Sequence, residues 1–235
     1  MDIASKLISI IIPTYNERDN ITSLVEKIHD ALSGHKYEVV FVDDNSKDGT
    51  AGVISVLSHH YPVKILIRQN ERGLASAVVY GFNHTCGDII TVMDADLQHP
   101  PEILTRLLQE IENGADLVIA SRYIPGGGCP GWGFIRKIIS KGAIFLVHLC
   151  LPVIRPFSDP MSGFFILRRQ VIASANLRPT GYKILLEILI EGQFTKSAEV
   201  PYTFHTRGGG ESKLGIRTQI DYLKHLYRLM RRRSE

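Results

Sequence analysis

Ile89-Ile90-Thr91-Val92-Met93-Asp94-Ala95-Asp96-Leu97-Gln98-His99-Pro100-Pro101-Glu102 holds a strand, two carboxylates and the start of a helix in one run. Ile89 to Met93 reads as a short buried strand. Pro-Pro-Glu then opens a helix whose apolar positions Ile103, Leu104, Leu107, Leu108 and Ile111 recur with the 3.6-residue period. Side chains two apart on an extended chain face the same way, so Asp94 and Asp96 are expected to present carboxylates to one volume at the carboxyl end of a strand. Open α/β sheets bind ligands there. Neighbouring carboxylates repel unless a cation lies between them or a proton is shared. Mg²⁺ or Mn²⁺, with phosphate oxygens and water completing its shell, is the simplest cation for such a pair, and Gln98 can add an amide oxygen. Read alone, Asp-x-Asp fits a helix cap equally well, so the rest of the chain has to choose.

The flanking sequence alternates strand and helix. Leu7 to Ile12 is a β-branched strand closed by Pro13-Thr14-Tyr15-Asn16-Glu17, and Ile21, Leu24, Val25, Ile28, Ala31 and Leu32 mark a helix. Tyr37 to Val42 is a strand running into the turn-rich Asp43-Asp44-Asn45-Ser46-Lys47-Asp48-Gly49-Thr50. Val63 to Ile67 is a strand, Gly73 to Asn83 a helix and Leu117 to Ala120 a further strand. This order is the signature of βαβ units on a parallel sheet, and the expected fold class is α/β, Rossmann-like and doubly wound.

Beyond Arg122 the pattern changes to a glycine-rich loop, 125–133, then a helix from Phe134. Gly126-x-Gly128-x-x-Gly131 matches a dinucleotide fingerprint only formally, because Pro130 falls where a backbone N–H should face phosphate. A mobile loop over a site is the better reading. Asp159 to Leu167 reads as a turn feeding a strand, Thr180 to Glu191 as a helix and Ala198 to His205 as a strand. The last helix, from about Ile216, carries Ile216, Ile220, Leu223, Tyr227 and Met230 on one stripe beside Arg217, Lys224, Arg228 and Arg231. Such a stripe faces either the core or an anionic membrane surface.

The 235 residues, 44% hydrophobic and 22% charged, suit one globular domain. Three cysteines with no CxxC pair suggest neither a disulfide framework nor a zinc cluster, and a reducing cytosol fits best. There is no HExxH and no signal-peptide pattern. The longest uncharged apolar stretch, Gly142 to Ile154, is well short of the roughly 20 residues that span a bilayer. Net charge is +3, with arginines crowded toward the C-terminus. A nucleic-acid partner is not expected.

Pro13-Thr14-Tyr15-Asn16-Glu17, Val42-Asp43-Asp44-Asn45-Ser46-Lys47-Asp48-Gly49-Thr50, Asn70-Glu71-Arg72-Gly73-Leu74, Met93-Asp94-Ala95-Asp96-Leu97-Gln98-His99-Pro100 and Ser121-Arg122-Tyr123 occur in one order. Together they resemble the family 2 glycosyltransferases of GT-A fold. Asp159-Pro160-x-Ser162-Gly163-Phe164-Phe165, Gly181-Tyr182-Lys183-Ile184 and Arg207-x5-Lys213 narrow the resemblance to the dolichol-phosphate mannosyltransferases and their polyprenyl-phosphate relatives. It covers nearly the whole chain.

The resemblance implies a single GT-A catalytic domain: a nucleotide-sugar half (1–123), an acceptor half with mobile loops (124–215) and a basic amphipathic helix (216–235). It implies that Pro13, Tyr15, Glu17, Val42, Asp44, Asp94, Ala95, Asp96, Lys183, Arg207 and Lys213 hold the donor. Asp94, Asp96 and Gln98 would hold Mn²⁺ or Mg²⁺ on its diphosphate. Arg122, Arg136 and Ser140 would bind the lipid phosphate, Arg136 and Ser140 sharing a helix face, and Asp94, Asp96, Gln98 and Arg122 would be the catalytic set.

The implied reaction is metal-dependent, inverting transfer of mannose from GDP-mannose to dolichyl or polyprenyl phosphate. UDP-glucose or another sugar nucleotide as donor remains open, and a nucleotidyltransferase or a non-catalytic nucleotide-binding subunit are rival readings. The expected location is peripheral, on the cytoplasmic face of a membrane: endoplasmic reticulum in a eukaryote, plasma membrane in a prokaryote. Family members with transmembrane helices carry them after this region, so the chain reads either as a short form relying on small transmembrane partner subunits or as a trimmed piece.

Overall fold

The structure, a computed structural model, describes Ile3 and residues 5–178, 181–205 and 216–232, with side chains of the last segment from Tyr222 to Arg231. Arg207, Lys213, Thr180, Ile216, Arg217 and Ile220, singled out above, lie in whole or in their side chains outside the described residues.

Among the described residues seven strands form one sheet: β1 Leu7–Thr14, β2 Lys36–Asp43, β3 Val63–Ile67, β4 Ile89–Val92, β5 Leu117–Ser121, β6 Phe165–Arg168 and β7 Ser197–Pro201, in the order β3-β2-β1-β4-β6-β5-β7. The helices are α1 Arg18–Ala31, α2 Thr50–Leu57, α3 Leu74–Asn83, α4 Ile103–Glu112, α5 Phe134–Cys150, α6 Ile184–Glu191 and α7 Ile216–Arg232. β1 pairs in parallel with β2 on one side and β4 on the other, so strand order reverses at β1. Loops after β1, β2 and β4 therefore converge at a topological switch point, where doubly wound sheets bind ligands.

Alternating side chains divide the core. Ile8, Ile10, Ile12, Val39 and Phe41 face the layer of α1, α2 and α4, whereas Ile11, Val40 and Val42 face that of α3, α5, α6 and α7. α4 buries Leu104, Leu107, Leu108 and Ile111, as its period predicts. β6 departs from the parallel pattern: it lies antiparallel between β4 and β5, with Thr91 opposite Ile166 and Val118 opposite that same residue. The segment 159–164 is thereby carried to the carboxyl ends of both neighbours.

Of the two readings of the α7 stripe, the structure overturns the core-facing one. Leu223, Tyr227 and Met230 are exposed, at 52%, 63% and 40%, while Tyr222, His225, Leu226 and Leu229 form the buried face. A 17-residue helix with apolar positions on two sides has two candidate faces, and only packing chooses. The choice is reinforced by polar ties. Tyr222 donates to the Ala143 carbonyl of α5 (2.8 Å), and the fully buried Glu187 of α6 accepts from Arg228 and from the Arg178 backbone N–H (2.7 Å). His225 Nε2 stands 3.1 Å from the same carboxylate.

α5 likewise exposes Phe134, Ile135, Ile138, Ile139, Phe145 and Leu149. Leu146, by contrast, packs against the core. Among the described residues no helix is long and apolar enough to cross a membrane.

Candidate active site

β4 ends at Val92, so strand parity is not what directs the two carboxylates. Asp94 to His99 is a compact turn with Leu97 in the left-handed region at φ 59°, a costly conformation for a bulky side chain that packing must hold in place. Asp96 is buried, and its Oδ1 accepts the Gln98 N–H at 3.1 Å. Asp94 keeps a third of its side chain exposed. Gln98 spends its amide nitrogen on the His205 carbonyl (2.8 Å), which leaves its oxygen to meet a cation.

His99 is the residue in this turn whose part the sequence did not reveal. It is buried against Phe164, Tyr202 and Phe204, and its Nδ1 accepts the Asp94 N–H at 3.0 Å. Burial pushes its pKa down to about 4. The ring is therefore neutral near pH 7 with its proton on Nε2, 3.7 Å from Asp94 Oδ2. Gly163 closes the other side. A Cβ there would lie 3.2 Å from the His99 ring, a tight approach, and 3.6 Å from Asp94 Oδ2, in ordinary contact, so the glycine spares the His99 ring a close contact.

Among the described residues no three His, Cys, Asp or Glu side chains gather to form a metal cage. Two carboxylates and an amide oxygen nevertheless fit a hard divalent cation that takes its other ligands from phosphate and water.

The loops after β1 and β2 are zipped together. Asn16 N–H donates to Ser46 Oγ (2.8 Å), Lys47 N–H to Asn16 Oδ1 (3.0 Å) and Arg18 N–H to Asp48 Oδ2 (3.0 Å), with Asn16 and Asn45 both at positive φ. The Tyr15 ring lies under the Arg72 guanidinium, 4.4 Å from its centroid. Glu17 accepts from Asn20 Nδ2 (2.9 Å). Asp44 carries a structural duty beyond the implied donor contact. Its Oδ1 takes Arg68 Nε at 2.8 Å and Nη2, and its Oδ2 takes the Gly73 N–H at 2.9 Å, binding the post-β3 loop to β2. Pro13 and Val42 are register partners in β1 and β2. Val42 and Ala95 bury their side chains in the core, so only their main chains can meet a ligand.

Arg122, at the end of β5, is buried and gripped by Asp159: Nε donates to Oδ2 and Nη2 to Oδ1, both at 2.7 Å. Burial opposes this charge, but the hydrogen bonds and charge of Asp159 outweigh it and raise the Arg122 pKa. Glu199 of β7 fixes Asp159 in turn through the Ser158 and Asp159 N–H groups. Ser140 accepts the Tyr123 hydroxyl at 2.7 Å, and Arg136 lies 4.1 Å from the centroid of Trp132. Lys183 donates to the Met161 carbonyl (2.8 Å), and burial, with Arg122 nearby, pushes its pKa down to about 8.

The glycine-rich stretch is pinned where it meets this cluster. Gly128 N–H donates to the Tyr202 carbonyl (3.0 Å) and Phe204 N–H to the Gly128 carbonyl (2.8 Å). At Gly127 a Cβ would fall 2.6 Å from the Ser121 carbonyl oxygen, which explains a glycine there. Asp159, Trp132, Arg68 and His99 escaped the sequence reading of the site. Asp159 and His99 lay inside quoted motifs, and Trp132 is the one tryptophan of the chain.

Residues 9–174 match Glycosyl transferase family 2. The chain is 52% identical over 228 residues, 97% of its length, to the dolichol-phosphate mannosyltransferase of Pyrococcus furiosus, and spans 65% of that relative. It is 39% identical to the dolichol-phosphate mannosyltransferase of Saccharomyces cerevisiae, covering 94% of this chain and 86% of that one. It is 35% identical to the polyprenol monophosphomannose synthase of Mycolicibacterium smegmatis, over 87% and 80% of the two chains. In fold it is similar to the crystal structure of glucosyl-3-phosphoglycerate synthase from Mycobacterium tuberculosis in complex with Mn²⁺, uridine-diphosphate-glucose and phosphoglyceric acid, with a TM-score of 0.75 at 20% identity over 96% of this chain and 80% of that one. The sheet is thus a GT-A fold, and the chain belongs to glycosyl transferase family 2, in the branch of the dolichol-phosphate mannosyltransferases.

Proposed function

We propose that the protein transfers mannose from GDP-mannose to dolichyl or another polyprenyl phosphate, with inversion at the sugar carbon and dependence on Mg²⁺ or Mn²⁺. The observation that carries this reading is the adjacency of an oxygen-donor turn after β4 to a guanidinium cluster after β5. The two are joined through Phe204, which packs on His99 at 5.7 Å and lies under Arg122 at 5.8 Å. The names of the mannosyltransferase relatives support the sugar and the lipid, and the Mn²⁺ complex of the M. tuberculosis synthase supports a divalent cation.

In this reading Asp94, Asp96 and Gln98 hold the cation, which neutralises the departing diphosphate. Tyr15, Glu17, Asp44 and the main chains of Pro13, Val42 and Ala95 orient the nucleoside. Lys183, with Arg207 and Lys213 by resemblance, meets the diphosphate charge as the glycosidic bond breaks. Arg122, Arg136 and Ser140 bind the acceptor phosphate. That phosphate, with a second pKa of about 6, is already anionic near neutral pH and attacks without a strong general base. Catalysis becomes alignment of two anions that would otherwise repel, which accounts for the guanidinium groups.

A lipid acceptor keeps its tail in a bilayer, so the acceptor site must work at headgroup depth. The exposed apolar residues of α5, flanked by Lys137 and Lys141, and of α7, beside Lys224, support peripheral attachment. The cytoplasmic face and small transmembrane partner subunits belong to this proposal.

Incubation with GDP-mannose or UDP-glucose and a short polyprenyl phosphate, with and without Mn²⁺, tests it. Mannosyl lipid is the expected product. Glucosyl lipid alone would replace the donor, and sugar nucleotide made from a nucleoside triphosphate would replace the reaction.

A further inference from the structure

Trp132 sits in the glycine-rich stretch between β5 and α5, outside every role assigned so far. Two guanidinium groups from different elements lie within cation–π range of its ring: Arg136 of α5 at 4.1 Å and Arg122 of β5 at 5.5 Å. A ring face carries negative electrostatic potential, so one indole eases the approach of two cations. The ring packs edge-to-face with Phe204 (5.5 Å, 76°), and the Trp132 backbone N–H donates to the Cys129 carbonyl (3.1 Å), which fixes the turn that carries the side chain.

The indole Nε1 is buried without a hydrogen-bond partner among the described residues. Buried N–H groups are nearly always paired, because an unsatisfied donor forfeits its hydration. Here the orphan donor belongs to a ring shared by two arginines. Two guanidinium groups and an indole N–H meeting on one ring are suited to a single anionic oxygen group.

We propose that Trp132 is a further acceptor-binding residue, whose ring gathers Arg122 and Arg136 and whose N–H donates to an oxygen of the phosphomonoester they hold. The proposal rests on the reading of Arg122 and Arg136 as the acceptor site. It takes a phosphomonoester, either on a polyprenyl lipid or as free phosphate.

Because Trp132 is the single tryptophan, its emission reports this corner directly in the intact protein. Titration with a short polyprenyl phosphate in detergent should shift the emission saturably, and the same polyprenol without phosphate should not. A shift with inorganic phosphate at similar concentration would place the recognition in the headgroup alone, and a shift only with the lipid would add the chain to it. Either result supports the proposal, and no shift with any phosphate overturns it.

Kinetics separate this proposal from the reading beneath it. Trp132→Phe keeps a ring face and loses the N–H. It should raise the acceptor KM about tenfold, the worth of one hydrogen bond, with GDP affinity and melting temperature nearly unchanged. Trp132→Leu, which also loses the face, should raise it further, and if that variant does not fold, Trp132→Phe decides. If Arg136→Gln raises the acceptor KM and Trp132→Phe does not, Trp132 is only packing and the proposal is wrong. If neither variant changes acceptor use, the acceptor assignment itself fails. Loss of GDP binding in Trp132→Phe would move the residue to the donor side and overturn the proposal.

Discussion

Arg122 and Asp159 form a closed bidentate pair across 37 positions of sequence, with a third bond from the Arg122 N–H to Asp159 Oδ2 at 3.0 Å. Both side chains are buried. The pair holds the Nε–Nη2 edge of the guanidinium inside the protein, and so sets the orientation of a side chain that the proposed function places at the acceptor. Removing one partner of such a pair strands the other charge. Asp159→Ala should cost about 3–5 kcal/mol of stability by chemical denaturation, together with acceptor use. A loss below about 1 kcal/mol would mean that water already compensates Arg122.

Asp96 is buried within its own turn, where its Oδ1 accepts the Gln98 N–H. Asp96→Ala should slow sugar transfer at least ~100-fold, about 2.7 kcal/mol of barrier, and excess chelator should abolish transfer by the wild type. Mn²⁺ binding measured by calorimetry in the presence of GDP should weaken in parallel. Full activity in chelator would remove the metal from the mechanism.

Lys183 titrates at about 8 because burial disfavours its charged form. A diphosphate binds the ammonium form, so proton uptake accompanies binding once the pH exceeds that value. GDP affinity should then fall as pH rises through about 8, by up to roughly tenfold per unit. Lys183→Arg should hold its affinity flat to about pH 10, since a guanidinium does not deprotonate there. Parallel pH profiles for the two proteins would take Lys183 out of donor binding.

The membrane-facing test follows the observed packing rather than the sequence pattern. Phe145 and Leu149 are exposed, at 69% and 60%, whereas Leu146 supports the core and is left intact. Wild-type protein should float with anionic liposomes and be partly released at high salt, each nearby Lys or Arg contributing about 1 kcal/mol before screening. Phe145→Ser with Leu149→Ser should sediment while still binding GDP. Unchanged flotation of that variant would put docking elsewhere.

Glu187 anchors α7 to α6 from a fully buried position. Glu187→Ala leaves the Arg178 N–H and Arg228 without this acceptor, and should destabilise the protein by about 3 kcal/mol. Hydrogen exchange should accelerate most in 222–231. Loss spread evenly over the sheet would show that α7 is not a separately tied element.

Local pattern carried the sequence reading far. Apolar runs and the 3.6-residue period located the strands and every described helix but α2 within a few residues, because each element must show the core a face of fixed period. The ordered set of motifs identified the family, and those that follow β1 to β5 lie in loops at the carboxyl ends of strands, where residues are not tied to the core. What periodicity could not supply was partnership across the chain. The antiparallel place of β6, the grip of Asp159 on Arg122, the hold of His99 on Asp94 and the burial of Leu226 rather than Tyr227 all depend on which distant surface arrives. Sequence states which faces are apolar and which groups carry charge. Tertiary structure alone decides which of them meet, because the free energy of burial and of a buried ion pair exists only once both partners have left water.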